Sequence, residues 1–322
     1  MGYGIVSKDM KTRFFSLIFP LFILMGVTDC AFAQTNSGLS VQQKYQSFTL
    51  PSIPVTLIEP AARIEYLVQH YWENFDFSDT DLISHPEITE QAFVDFISIL
   101  PSVSSNEKID KGMVNLMESA SANRRMFTYF VGLAEKYLYD PNSPLRNEEY
   151  YIPVLKYMVS SPRMDEAHKI RPRHQLQMVM KNRPGSIAMD FKYTTSSGTV
   201  ARMSSIQADY TILFFNNPDC LNCKQVKDYM KDSVLFNRMT QTNSKPLLRI
   251  LAIYPDADLP SWKRADYPDI MINSYDAGQS IVTRELYDLK ASPTLYLLDK
   301  DKRVILKDVT VEEIGKWLDK LL

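Results

Sequence analysis

The 322-residue chain carries 36 Lys and Arg against 38 Asp and Glu, with 45% hydrophobic and 11% aromatic residues, an ordinary globular composition that excludes a disordered, collagenous or disulfide-dense chain. A net charge of −2 removes the electrostatic case for a nucleic-acid binder, which needs a basic excess to displace counterions from phosphate. Ten glycines, with neither a GxGxxG nor a GxxxxGK[ST] run, leave no standard backbone cradle for phosphate, so no nucleotide is expected as substrate or cofactor.

In chain order, Lys8, Lys11 and Arg13 precede the apolar run Phe14 to Val27, and Ala31-Phe32-Ala33 places small residues at both positions of an A-x-A cleavage site. Residues 1–33 therefore read as a secretory signal peptide cut near Ala33, with Met1 or Met10 as the start. The apolar run is about 14 residues, short of the roughly 20 that span a bilayer, and Pro20 interrupts it. Asp29 stands before Cys30, where lipid-attachment signals have Gly, Ala or Ser, so membrane association is expected only if Cys30 is lipidated. Cleavage leaves Cys220 and Cys223 in a protein bound for a periplasmic or otherwise exported, oxidising location.

Residues 34–59, rich in Ser, Gln, Thr and Pro, read as an extended lead-in with a short strand at 48–50. From Pro60 the period becomes helical: Ile64, Leu67, Val68, Tyr71 and Trp72, then Ala92, Phe93, Phe96, Ile97 and Leu100 stopped by Pro101. A third helix begins near Met113 and continues or restarts through Phe127, Phe130 and Leu138. Further helices fit 148–159 and 164–181, with Pro153 and Pro172 predicting breaks in both. Residues 60–182 thus predict a mainly α-helical N-terminal domain.

After Pro184-Gly185 the pattern turns to strands. Residues 189–193 and 199–203 predict a hairpin turning at Gly198, and 210–215 and 247–254 are apolar runs suited to the centre of a sheet, joined by a helix at 224–239. Strand, helix, strand predicts a parallel βαβ unit. Residues 294–298 and 303–307 predict an antiparallel hairpin, and 311–322 a closing helix.

Cys220-Leu221-Asn222-Cys223 falls between the buried strand and the following helix. Unpaired N–H groups and the positive end of the helix dipole favour a thiolate at Cys220, and Cys223, one turn further in, can resolve a mixed disulfide by closing a short ring. The chemistry is thiol–disulfide exchange with client protein disulfides or thiols. Three other readings stand beside it: half a zinc site, for which the exported chain keeps no third cysteine and would have to draw on His70, His85, His168 or His174; a structural disulfide, whose short loop stabilises little; and an idle binding scaffold acting through the helical domain.

The order hairpin, strand, C-x-x-C, helix, strand, then Ser292-Pro293-Thr294 before a hairpin and terminal helix resembles thioredoxin-like proteins over residues 185–322. The long segment from Cys223 to Pro293, holding Trp262 and Tyr275, is more similar to the secreted TlpA and ResA branch than to short thioredoxin. The resemblance implies an α/β fold with a central mixed sheet flanked by helices. It also implies catalytic roles for Cys220 and Cys223, a cis bond at Pro293 facing them, no cofactor or metal, and electrons from a separate membrane thiol reductase. Residues 60–182 resemble helical domains that precede thioredoxin-like modules in secreted proteins of Gram-negative bacteria.

Three departures from the family pattern matter. Asp219 replaces a frequent Trp before the first cysteine and opposes a thiolate there, which biases the pair toward a reductant. Phe214 occupies the position of a buried Asp proton relay, leaving Cys223 without a nameable proton acceptor. Asn222 replaces the usual Pro or His. Elsewhere, the aromatic run Tyr71, Trp72, Phe75 and Phe77 reads as core, and the basic cluster from His168 to His174 as a solvated helix face.

Overall fold

A computed structural model describes residues 47–241 and 246–321. The signal-peptide reading, Cys30 and most of the lead-in lie outside the described residues. Within 47–59 the expected strand at 48–50 does not form. Among the described residues no strand pairs with it, and the segment is held by side chains: Phe48 stacks on Tyr71 with ring centroids 5.0 Å apart, and Asn74 Nδ2 donates to the Leu50 carbonyl at 3.1 Å.

The helical region comprises α1 (Pro60–His70), α2 (Pro86–Ile99), α3 (Asn106–Ala120), α4 (Arg124–Ala134), α5 (Glu148–Ser160) and α6 (Glu166–Val179). Proline opens α1 and α2, where its missing N–H has no helical partner to lose. The third sequence helix divides because Asn123 leaves helical geometry and caps α4, its Oδ1 accepting from Arg125 N and Met126 N. Pro153 and Pro172 do not break α5 and α6 as expected. Both are buried and packed, and each removes one ladder bond from a helix that tertiary contacts hold in place.

The second half begins with a hairpin of β1 (Lys192–Thr195) and β2 (Val200–Arg202), turning at Gly198 with φ +84°. Then come β3 (Tyr210–Phe215), α7 (Leu221–Asp232), α8 (Val234–Thr240), β4 (Leu248–Tyr254), α9 (Leu259–Arg264), β5 (Met271–Tyr275), α10 (Ser280–Thr283), β6 (Thr294–Asp299), β7 (Val304–Lys307) and α11 (Val311–Asp319). The seven strands form one mixed sheet in the order β2-β1-β5-β4-β3-β6-β7. β3, β4 and β5 are parallel, and the remaining pairings are antiparallel.

The predicted βαβ unit is present, but its single helix is two: Ser233 turns extended between α7 and α8. Strand β5 escapes the sequence reading because Asn273 and Ser274 interrupt its apolar pattern. Both are satisfied internally, Ser274 Oγ donating to the Ala252 carbonyl and Asn273 Oδ1 accepting from Trp262 Nε1, each at 2.8 Å. β3 lies between β4 and β6 and is apolar on both faces. Ile212 and Phe214 pack with Met230, Phe236, Ile314 and Cys223, while Leu213 and Phe215 pack with Tyr287, Tyr296 and Leu298.

Residues 47–322 form one compact unit, and the helical and sheet regions meet through buried polar groups. Glu148 of α5 pairs with Lys290 and lies 2.8 Å from Lys307 Nζ, off the hydrogen-bonding direction. Lys307 also donates to the Val179 and Lys181 carbonyls at the end of α6, at 2.8 and 2.6 Å, satisfying acceptors the helix leaves open. Tyr139 OH donates to Asp288, and Lys290 Nζ sits 3.8 Å above the Tyr139 ring. Burial pushes the Glu148 carboxyl up, but Lys307 and Lys290 outweigh it and hold the group below the usual range.

Candidate active site

The loop leaving β3 delivers Cys220 to the N-cap of α7, where its Sγ accepts from Cys223 N at 3.3 Å. The cap position explains the exposure pattern: Cys220 is half-buried at the surface, Leu221 beside it is exposed, and Cys223 is fully buried one turn in. Both cysteines are free thiols. Across the site, the Ser292–Pro293 bond is cis, and Cys220 Sγ donates to the Ser292 carbonyl at 3.3 Å. The three residues singled out in sequence, Cys220, Cys223 and Pro293, are therefore brought to one place from elements some seventy residues apart.

The two thiols are not equivalent. Burial pushes the Cys223 thiol up to about 12, and its contact with Cys220 adds to this, while the Asn217 N–H at 3.5 Å and Lys227 pull it back. Cys220 is the more accessible of the two thiols.

The Asp219 carboxylate turns to α9, where Ser261 Oγ donates to Oδ2 at 2.8 Å; Arg264 Nη2 in turn donates to Ser261 Oγ at 3.1 Å. Its charge is thus engaged by a neighbour forty-two residues away that no local pattern places there. Also unforeseen is a polar group beneath the cysteines. Asn216, buried, donates to the Phe214 and Ile253 carbonyls, and its Oδ1 accepts from Tyr267 OH at 2.7 Å. Burial holds the Tyr267 hydroxyl well above the ordinary tyrosine range, so it remains a donor. Asn216 follows β3 directly and was open to notice; Ser261 and Tyr267 had no sequence signal.

The remaining sequence candidates lie elsewhere. Tyr71, Trp72, Phe75 and Phe77 are buried against Phe130 and Phe96 as core. The basic cluster on α6 is a paired surface, His168 with Asp165, Lys169 and Arg173 with Glu166, Arg171 with Glu135 and His174 with Glu285. Among the described residues no three His, Cys, Asp or Glu side chains converge as metal ligands.

A strand and loop that lead into a cysteine capping the start of the next helix, facing a cis-proline loop on a mixed sheet, define the thioredoxin-like class. The chain is similar to a thioredoxin-like protein from Bacteroides caccae, with 42% identity over 86% of this chain and 99% of that one and a TM-score of 0.82. It belongs to the thioredoxin-like family. The C-terminal domain of a Bacteroides fragilis protein is 41% identical over 43% of this chain and 98% of its own, with a TM-score of 0.41. A domain of a possible thiol-disulfide isomerase from Cytophaga hutchinsonii is 23% identical over 44% of this chain and 95% of its own, with a TM-score of 0.36. Residues 30–182 match the model of a domain of unknown function, DUF5106. No curated protein matches the chain.

Proposed function

We propose that the chain is an exported thiol–disulfide oxidoreductase that reduces client protein disulfides. The observation that carries this reading is the accessible Cys220 thiol at the N-cap of α7, 3.3 Å from the Ser292 carbonyl, with Cys223 buried one turn behind it. The Cys220 thiolate attacks one sulfur of a client disulfide and expels the other as a thiolate, forming a mixed disulfide. Cys223 then attacks Cys220 and releases the second client thiol, so two electrons pass to the client and the enzyme is left oxidised. The loop at Pro293 presents backbone groups to the client strand.

A separate membrane thiol reductase restores the dithiol, and no cofactor or metal takes part. Export follows from the leader-like residues 1–33. The test is a redox titration of the protein in thiol/disulfide buffers, following both cysteines by thiol-labelling mass shift. A reversible two-electron transition between about −120 and −280 mV is expected, toward the reducing end. A pair that stays oxidised below about −300 mV, or never closes, sinks the reading.

A further inference from the structure

Cys223 must ionise inside the protein before it can attack, and Phe214, at the position that the resemblance assigns to a relay carboxylate, is apolar and fully buried. The neighbouring charge lies on the same helix. Lys227 follows Cys223 by four residues on α7, so the two side chains leave one face of the helix. Lys227 is only 8% exposed, its Nζ donates to the Asp266 carbonyl at 3.0 Å, and it lies 4.4 Å from the centroid of the Tyr267 ring.

Among the described residues no carboxylate is within ion-pair distance of its Nζ, whereas Lys224, one turn earlier and exposed, pairs with Asp228 at 2.6 Å. A buried cation held by one carbonyl and one ring is a costly arrangement, because neither returns the solvation that the charge has lost. The cost is offset when an anion forms beside it, and Cys223 is the buried neighbour that becomes one.

We propose that Lys227 is the positioning charge that allows Cys223 to ionise and resolve the mixed disulfide, in the place where a carboxylate relay is absent. The inference rests on the exchange reading above. In the resolving step the Cys223 thiol gives up its proton and its Sγ attacks Cys220 Sγ. The bond between the two cysteines forms as the bond from Cys220 to the client sulfur breaks, and the electron pair leaves on that sulfur, which ends with the proton. Lys227 stays an ammonium throughout and lowers the energy of the transient thiolate. The reciprocal influence is present at rest: burial pulls the lysine down from its ordinary range and Cys223 pushes it back up. The charged and titratable groups around it are Lys224, Asp228 and Cys223 on α7, and Asp266 and Tyr267 on the segment leading into β5.

The experiment mixes the reduced full-length protein with dithionitrobenzoate and follows release of the coloured thiolate. Attack by Cys220 gives the first equivalent, and resolution by Cys223 the second. In Lys227→Met and Lys227→Gln the first phase should hold within about twofold, while the second slows about tenfold or more at neutral pH and its pH midpoint rises by about one unit. Lys227→Arg, which keeps the charge, should recover most of the second phase. An unchanged second phase in Lys227→Met and Lys227→Gln overturns the role of Lys227 while leaving the exchange reading intact, and equal slowing in Lys227→Arg overturns the charge in favour of packing. Absence of a second phase in the wild type removes the exchange reading, and this inference with it.

Discussion

The ring cluster around Trp72 in the helical region and the rings of Trp262, Tyr267 and Tyr287 in the sheet region are all buried or half-buried, but serve different uses. In the helical region Trp72 sits among Tyr71, Phe75, Phe77, Phe96 and Phe130 with ring centroids 5.2 to 6.1 Å away, contacts that supply buried area and edge-to-face packing. In the sheet region the rings also hold polar groups in place: Tyr267 OH fixes Asn216, Trp262 Nε1 fixes Asn273, and Tyr287 OH donates to the Met189 carbonyl at 2.6 Å. The first use tolerates exchange among apolar shapes. The second depends on direction, which is why oriented chemistry collects around α7 and the cis-proline loop rather than among the helices.

The largest expected effect breaks the comparison on the chemical side. Cys220→Ser should abolish disulfide exchange measured with a protein client and leave thermal unfolding within about 1 kcal/mol, since the residue is partly exposed; retained turnover would remove Cys220 as the nucleophile. Phe130→Ala acts on the other side. It empties the centre of the ring cluster and should destabilise by about 3–5 kcal/mol in denaturant titrations. Coincident loss of far-UV signal and of Trp262 fluorescence, read with Trp72 and Trp317 replaced by Phe, would show that the two regions unfold together.

Glu148→Gln tests the seam itself. It leaves Lys290 and Lys307 buried without their shared carboxylate and should destabilise by about 3 kcal/mol at neutral pH. Because the folded Glu148 is held below its unfolded value, its contribution is complete above the unfolded carboxylate range near pH 4.5 and fades as pH falls through the lower folded value. Asp308, raised by burial despite Arg146, works in the opposite sense: its charge is a burden at neutral pH that protonation relieves. The difference between wild type and Glu148→Gln should therefore shrink on acidification, and a constant difference across that window would contradict the ion-pair account. The smallest effect is local: Thr310→Ala removes the capping box of α11 and should cost about 1 kcal/mol in the same titration.

Much of the fold was legible because it is written in local patterns. The apolar runs at β3 and β4, the hairpins at Gly198 and before α11, and the C-x-x-C at a strand-to-helix turn each depend on neighbours within a few residues. The misreadings share a cause. Pro153 and Pro172 predicted breaks that packing overrides, Ser233 interrupts a helix whose apolar period runs on, and β5 looked polar because its Asn and Ser partners come from α9 and β4.

For the candidate site, residue types and spacing alone singled out Cys220 and Cys223, and the resemblance added Pro293. They could not indicate which charges stand around the thiols. Asp219 turned to Ser261, Lys227 buried beside Cys223, and Glu148 reaching Lys290 just ahead of the cis-proline loop are decided by tertiary structure. The physical reason is that periodicity and caps act through bonds and turns a few residues long, whereas the energy of a buried charge depends on groups that the chain brings together only when it folds.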